Sequence, residues 1–212
     1  MRVGVIDYGV GNLGSVLRAL EELRVSSVLV KRPTEMYDTD CLILPGVGNF
    51  ADCARLLKDG DWTIALRDEV LGNKRPLLGV CVGMQLLADS STEGADDGEN
   101  AQGLGFIPGQ VRHLRSFGCK LRVPHVGWNS ITPIAPDNSL FVGIPAGTDF
   151  YFVHSYAFAP VDPADVLATT DYGTPVTAAV CRGHVWGTQF HPEKSSLAGF
   201  RLLKNFIEGP KC

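Results

Sequence analysis

The sequence predicts an α/β fold: a mixed, largely parallel central sheet with flanking helices. Three observations carry this. Short apolar runs alternate with helical-period segments through the first half of the chain, the rhythm of βαβ units. Glycine-rich turns follow several of those runs. One of them, Gly79-Val80-Cys81-Val82-Gly83, joins an apolar run to a helix start, as a nucleophile elbow does.

In order, Val3 to Ile6 is expected to form a strand and Asp7 to Gly11 a glycine-rich turn. Asn12 is placed to cap a helix in which Val16, Leu17, Leu20 and Leu23 recur at helical spacing. Ser26 to Val30 and Cys41 to Leu44 read as strands, Phe50 to Leu57 and Ile64 to Leu71 as helices. Arg75-Pro76-Leu77-Leu78 leads as a buried strand into Cys81, and Met84 to Ala88 begins a helix. Ser90 to Gly103, rich in Gly, Asp, Glu and Ser, reads as an exposed, mobile loop. Beyond it, Gln110 to Leu114, Lys120 to Val123, Phe150 to Phe158, Val166 to Thr170 and Thr174 to Phe190 read as strands of a mixed sheet. Pro136 to Gly143 holds a short helix. Ser195 to Ile207 is an amphipathic helix with Leu197, Phe200, Leu203 and Phe206 on one face. No internal repeat or long linker divides the chain, so residues 1–212 are expected to form one domain.

Composition narrows the function classes. The chain has 212 residues, 45% of them hydrophobic, and a net charge of −4 without a basic cluster, which argues against nucleic-acid binding. No apolar run is long enough for a membrane helix, and the first residues read as a strand rather than a signal peptide; a cytoplasmic protein is expected. The 6 cysteines are scattered without a CxxC pair, so no disulfide framework is expected. No His, Cys, Asp or Glu cluster has metal-ligand spacing, and neither Gly9-Val10-Gly11 nor Pro45-Gly46-Val47-Gly48 completes a nucleotide-binding fingerprint. No metal or cofactor is expected.

Only Cys81 has glycine on both sides in a strand-to-helix turn. Its flanking glycines are expected to allow the tight turn, and the helix N-terminus to favour a thiolate. A nucleophilic cysteine needs a base and a group to hold that base. Of the five histidines, His113 and His184 have no acidic neighbours and read as solvent-facing or structural. His125 and His154 sit in unusual local sequences, and His125 reads equally as a hydrogen-bonded structural residue or a functional one. His191 precedes Pro192, which favours an extended backbone, so Glu193 is expected beside it to fix its tautomer. The backbone N–H of Val82 and the glycine-flanked Val47–Gly48 segment are the candidate oxyanion donors.

At these residues the chain resembles the class I (triad) glutamine amidotransferases, which share a flavodoxin-like architecture. Within them it is similar to the glutaminase subunit of imidazole glycerol phosphate synthase. The resemblance runs through Asp7-Tyr8-Gly9-Val10-Gly11-Asn12, Leu44-Pro45-Gly46-Val47-Gly48, Gly79 to Gln85, Pro124-His125-Val126-Gly127-Trp128-Asn129, Phe152-Val153-His154-Ser155-Tyr156 and Gln189 to Ser195. It departs at Val82, where the family often has Leu; the donor there is backbone.

The resemblance implies that Cys81 is the nucleophile, His191 the acid/base and Glu193 its orienting partner, with Val47, Gly48 and Val82 framing the oxyanion hole. It implies that Gln85, Ser155 and Tyr156 hold the amino-acid part of glutamine. It places Asn12, Trp128, Asn129 and Lys194 at or near a docking face. It further implies a separate (βα)8-barrel cyclase subunit, forming a heterodimer, that uses the ammonia to convert PRFAR to imidazole glycerol phosphate and AICAR in histidine biosynthesis. Two alternatives use the same fold: a stand-alone cysteine hydrolase of γ-glutamyl or peptide substrates, and a non-catalytic regulatory module.

Overall fold

The computed structural model describes residues 1–96 and 99–209. Five parallel strands form the heart of the protein: β1 (Arg2–Ile6), β2 (Ser26–Val30), β3 (Cys41–Gly46), β4 (Leu77–Cys81) and, much later in the chain, β14 (Val185–Thr188). They lie in the order β2-β1-β3-β4-β14. β3 and β4 are buried at every position, as a strand covered on both faces must be. Beyond β14 the sheet turns antiparallel through β13 (Pro175–Arg182), β12 (Val166–Asp171) and the short β9 (Thr132–Pro133), giving 8 strands in all.

Helices cover the sheet with the apolar faces that the sequence pattern predicts. α1 (Leu13–Glu22) buries Val16, Ala19 and Leu20; α2 (Phe50–Asp59) buries Phe50, Cys53 and Leu57. α3 (Trp62–Leu66) runs into a π-helical turn at Arg67–Gly72, and α4 (Val82–Gln85) is a single turn. α5 (Ser196–Glu208) buries Leu202, Leu203, Phe206 and Ile207. Its inward stripe is rotated from the expected one, and Leu197 is 81% exposed. Among the described residues no helix is long and apolar enough to cross a membrane.

Several expectations change. Ser90 to Gly103 is not a loop: β5 (Ser90–Asp96) and β6 (Glu99–Gln102) form an antiparallel pair, with Asp97 and Gly98 outside the described residues. This pair joins β7 (Gly109–His113) and β11 (Tyr156–Pro160) in a second sheet, ordered β11-β7-β5-β6. Backbone pairing, not an apolar face, holds β6 in place, since the Glu99 and Asn100 side chains are exposed. Lys120 to Val123 is irregular; the strand starts later, as β8 (His125–Ser130), paired with β10 (Asp149–His154). The run Phe150 to Phe158 is two strands, β10 and β11, which part at Ser155 because each belongs to a different sheet. Thr174 to Phe190 is likewise the antiparallel pair β13 and β14, reversed at Gly183, whose φ is +59°.

The carboxyl ends of the parallel strands deliver the predicted residues to one edge. Pro45 to Gly48 follow through from β3, Cys81 ends β4, and Gln189 to His191 continue β14. This is where open α/β sheets bind ligands.

Candidate active site

Cys81 sits at φ +57° and ψ −114°, a strained conformation for a side chain larger than glycine. The strain falls on the cysteine itself. Gly79 and Gly83 have ordinary φ values, and their role is space. A Cβ on Gly83 would lie 1.8 Å from the Leu44 carbonyl oxygen, and one on Gly79 would lie 2.5 Å from the Gly83 oxygen. The elbow is thus packed backbone on backbone against β3, which fixes the sulfur at the mouth of the sheet. α4 has only 4 residues, so the macrodipole expected to favour the thiolate is that of one turn.

The charge at the sulfur comes instead from His191. Its Nδ1–H donates to Glu193 Oε1 at 2.8 Å, a carboxylate that can only accept, so the Nδ1-bound proton is fixed. The two side chains are 2% and 1% exposed. Among the described residues His191 Nε2 is buried without a hydrogen bond of good geometry, and the Cys81 side chain is the group close enough to act on the ring. Burial pushes the imidazole pKa down, but the Cys81 and Glu193 interactions outweigh it, and the pKa lies above the ordinary histidine value. A protonated imidazole beside the sulfur is the partner a thiolate needs.

Glu193 does not reach His191 along an extended segment as expected. Pro192–Lys194 is a 3-10 turn that curls the carboxylate back onto the ring. Asn12 Nδ2–H also donates to Glu193 Oε1, at 3.1 Å. Asn12 stands at the α1 N-cap position but makes no side-chain cap bond; its amide is spent on the Glu193 carboxylate.

Val47, Gly48, Cys81, Val82, Gln85, Ser155, Tyr156 and His191 line one cleft. Val82 opens α4, where first-turn N–H groups have no intrahelical acceptor. Gly48 has φ +97° with open space around its α-carbon, and Val47 is 38% exposed, so this strap is shaped by backbone freedom rather than packing. Gln85 is buried below the cleft, where its Nε2–H groups donate to the Tyr156 carbonyl and to Gln189 Oε1, each at 2.9 Å.

Trp128, Tyr151 and Lys194 gather on one surface. Trp128 is 55% exposed and packs edge-on to Tyr151, and the Lys194 ammonium lies 5.8 Å from the Tyr151 ring centroid. Asn129 does not join them. Alternation along β8 turns it to the other face, where its Nδ2–H donates to the Asp171 carbonyl at 2.8 Å.

Sequence reasoning missed four residues. Gln189 bridges Gln85 and Cys81, and the period-2 relation to His191 was a usable signal. Ser195 Oγ–H donates to the His191 carbonyl at 2.6 Å and accepts from Tyr151 N–H, bracing the base. Glu93 lines the cleft from β5, with its pKa raised by burial. His154 lines it from β10. Glu93 had no local signal; His154 lies in the distinctive segment Phe152-Val153-His154-Ser155-Tyr156, which marked it without giving it a role.

A second cleft lies at the opposite, amino-terminal edge of the sheet, between Cys41, Arg75, His184 and Trp186. Burial, reinforced by Asp40, pushes the Cys41 thiol up to about 12, and His184 Nε2 is engaged by the Val70 carbonyl. It lacks an activated nucleophile. Among the described residues no group of three or more His, Cys, Asp or Glu is arranged to hold a metal ion.

Comparison with known proteins decides between the families that share such a constellation. The family described as glutamine amidotransferase class-I matches residues 4–209. The imidazole glycerol phosphate synthase subunit HisH of Rhodospirillum rubrum is 47% identical, over 98% of each chain. This chain belongs to the HisH family of class I glutamine amidotransferases. The HisH subunit of Moorella thermoacetica is 44% identical, over 97% of this chain and 94% of its own. Among solved structures, one titled as a glutamine amidotransferase superposes with a TM-score of 0.74 at 22% identity, covering 97% of each chain. PurLQS from Thermotoga maritima gives 0.73 at 16% identity over the same 97% shares. These two establish the fold, and the HisH relatives establish the family.

Proposed function

We propose that this chain, as one glutamine amidotransferase domain, is the glutaminase subunit of imidazole glycerol phosphate synthase and makes ammonia for a separate cyclase subunit. The observation that carries the reading is the buried Cys81–His191–Glu193 line, set at the end of β4 in a HisH-family chain.

The steps follow from the parts. Cys81 thiolate attacks the side-chain amide carbon of glutamine. The backbone N–H of Val82, with one from the Val47–Gly48 strap, holds the oxyanion, and loss of one such donor costs about 10²–10³ in rate. His191 imidazolium gives its Nε2 proton to the leaving nitrogen, which departs as ammonia. Neutral His191 then takes a proton from water, whose oxygen attacks the γ-glutamyl thioester; glutamate leaves and the thiolate returns. Glu193 keeps the Nδ1–H bond and the ring orientation throughout and stabilises the imidazolium when it forms. Ser155 and Tyr156, at the rim of the cleft, bind the amino-acid end of the substrate.

The docking face is built from Trp128, Tyr151 and Lys194, together with Asn12 behind Glu193. A (βα)8-barrel cyclase seated there receives ammonia and converts PRFAR to imidazole glycerol phosphate and AICAR. The glycines around Val47 let the strap rearrange when the partner and its ligand bind. Glutamine turnover is measured for the purified chain, for the chain with the cyclase, and for the complex with the ribonucleotide. Slow hydrolysis alone and strong stimulation in the complex are expected. Full activity without any partner overturns the reading in favour of a stand-alone hydrolase.

A further inference from the structure

His125 and His154 face each other across the β8–β10 pair and are both buried, at 2% and 6% exposure. Neither enters the chemistry above. His125 Nδ1 and His154 Nε2 are 2.9 Å apart. The groups at the two ends of this pair determine where every proton lies.

At one end, His154 Nδ1 is 2.9 Å from the Tyr156 carbonyl oxygen. A carbonyl only accepts, so Nδ1 carries the proton and, in a neutral ring, Nε2 is bare. His125 Nδ1 must then donate to that Nε2, which leaves His125 Nε2 bare in turn. At the other end stands Asn129, whose orientation is also fixed. Its Oδ1 accepts from Ser130 N–H at 2.9 Å, and its Nδ2–H donates to the Asp171 carbonyl at 2.8 Å. Its Nδ2 is 3.3 Å from His125 Nε2, a donor facing the one acceptor available. Both ends demand the same arrangement, and both rings are neutral in it. Burial agrees, holding His125 down to about 4 and His154 to about 3.

The chain of bonds ends at the glutamine cleft. The Tyr156 carbonyl accepts from His154 Nδ1–H and from Gln85 Nε2–H, which fills both of its lone pairs. Gln85 passes on to Gln189, whose Nε2 is 3.9 Å from Cys81 Sγ. Stacking holds the relay in place: the His125 ring centroid lies 3.9 Å from that of Tyr172 and 4.8 Å from that of Phe152.

We propose that His125 and His154 are positioning residues: a fixed-tautomer relay from Asn129 on β8 that locks the Tyr156 carbonyl and Gln85, and so shapes the glutamine cleft beside Cys81. The proposal rests on the glutaminase reading for its kinetic consequence, but the proton placement stands on the hydrogen bonds alone. It also ties the strand that carries Trp128 to the substrate cleft, since Asn129 is the next residue.

The first test is independent of activity. Nitrogen-15 NMR of the histidine rings in the intact protein reads which nitrogen is protonated. Both His125 and His154 are expected to carry the proton on Nδ1, the less common tautomer of free histidine. A proton on Nε2 of either ring overturns the relay, whatever the enzyme does. The second test is kinetic, in the ligand-bound complex with the cyclase. His125→Phe keeps the stack and removes both ring bonds; KM for glutamine is expected to rise about fivefold, the loss of one net hydrogen bond, with kcat changed less than about threefold. An unchanged KM in a folded variant overturns the positioning role. His154→Asn, which returns an N–H near the Nδ1 position on a smaller side chain, is expected to have a lower KM than His154→Phe. Packing alone ranks these two variants the other way, so the reverse order also overturns it.

Discussion

Glu193→Gln is the substitution whose consequence follows most directly from the geometry. The side chain keeps its shape, and an amide oxygen can still accept from His191 Nδ1–H. What is lost is a full negative charge 2.8 Å from the ring, in a place 1% exposed. At an effective dielectric constant near 20, opposite charges at that separation attract by about 6 kcal/mol. The amide dipole and local relaxation recover part of this, as charge-assisted bonds are about twice as strong as neutral ones. A net loss of ~3 kcal/mol lowers kcat on the order of 10²-fold. The variant is assayed as the complex with cyclase and ribonucleotide, following glutamate release. KM for glutamine is expected to stay within about twofold, because Glu193 does not line the cleft. The alkaline limb of the pH–rate profile moves to lower pH, since the imidazolium loses the charge that held its pKa up. A kcat within threefold of the parent enzyme refutes the role given to Glu193.

Two further outcomes follow from the same structure. Gly83→Ala places a methyl carbon 1.8 Å from the Leu44 carbonyl oxygen, backbone that cannot move aside, and chemical denaturation is expected to show a loss of about 3 kcal/mol or more; a change under 1 kcal/mol contradicts the close packing of the elbow. His125 and His154 are held below the usual 6.5, to about 4 and 3, so between pH 6.5 and 4 the unfolded chain binds protons that the folded chain refuses. Stability therefore falls as pH drops through that window, and the slope of unfolding free energy against pH is expected to be shallower in His125→Phe.

Local chemistry made the nucleophile and its base legible. A cysteine between glycines at a strand-to-helix turn and a His-Pro-Glu at a strand end are each contained within a few residues, and both landed at the same sheet edge. Residues that act through distant partners carried no such signal. Glu93 sits in a hairpin whose polar composition mimics a loop, because exposed strands on the second sheet are held by backbone bonds. The break at Ser155 is invisible in an apolar run, since both halves are buried in different sheets. The His125–His154 contact spans 29 residues and depends on the β8–β10 register. Asn12 shows the converse failure: a good helix-capping residue was claimed by a carboxylate 181 residues away.

The proposed role of Cys81 is to make ammonia for another subunit. The most direct measurement compares imidazole glycerol phosphate formation by the Cys81→Ala complex when fed glutamine and when fed ammonium at raised pH. Glutamine-dependent synthesis is expected to be abolished while ammonium-dependent synthesis continues at the parent rate. Glutamine-dependent synthesis that survives the substitution contradicts that role.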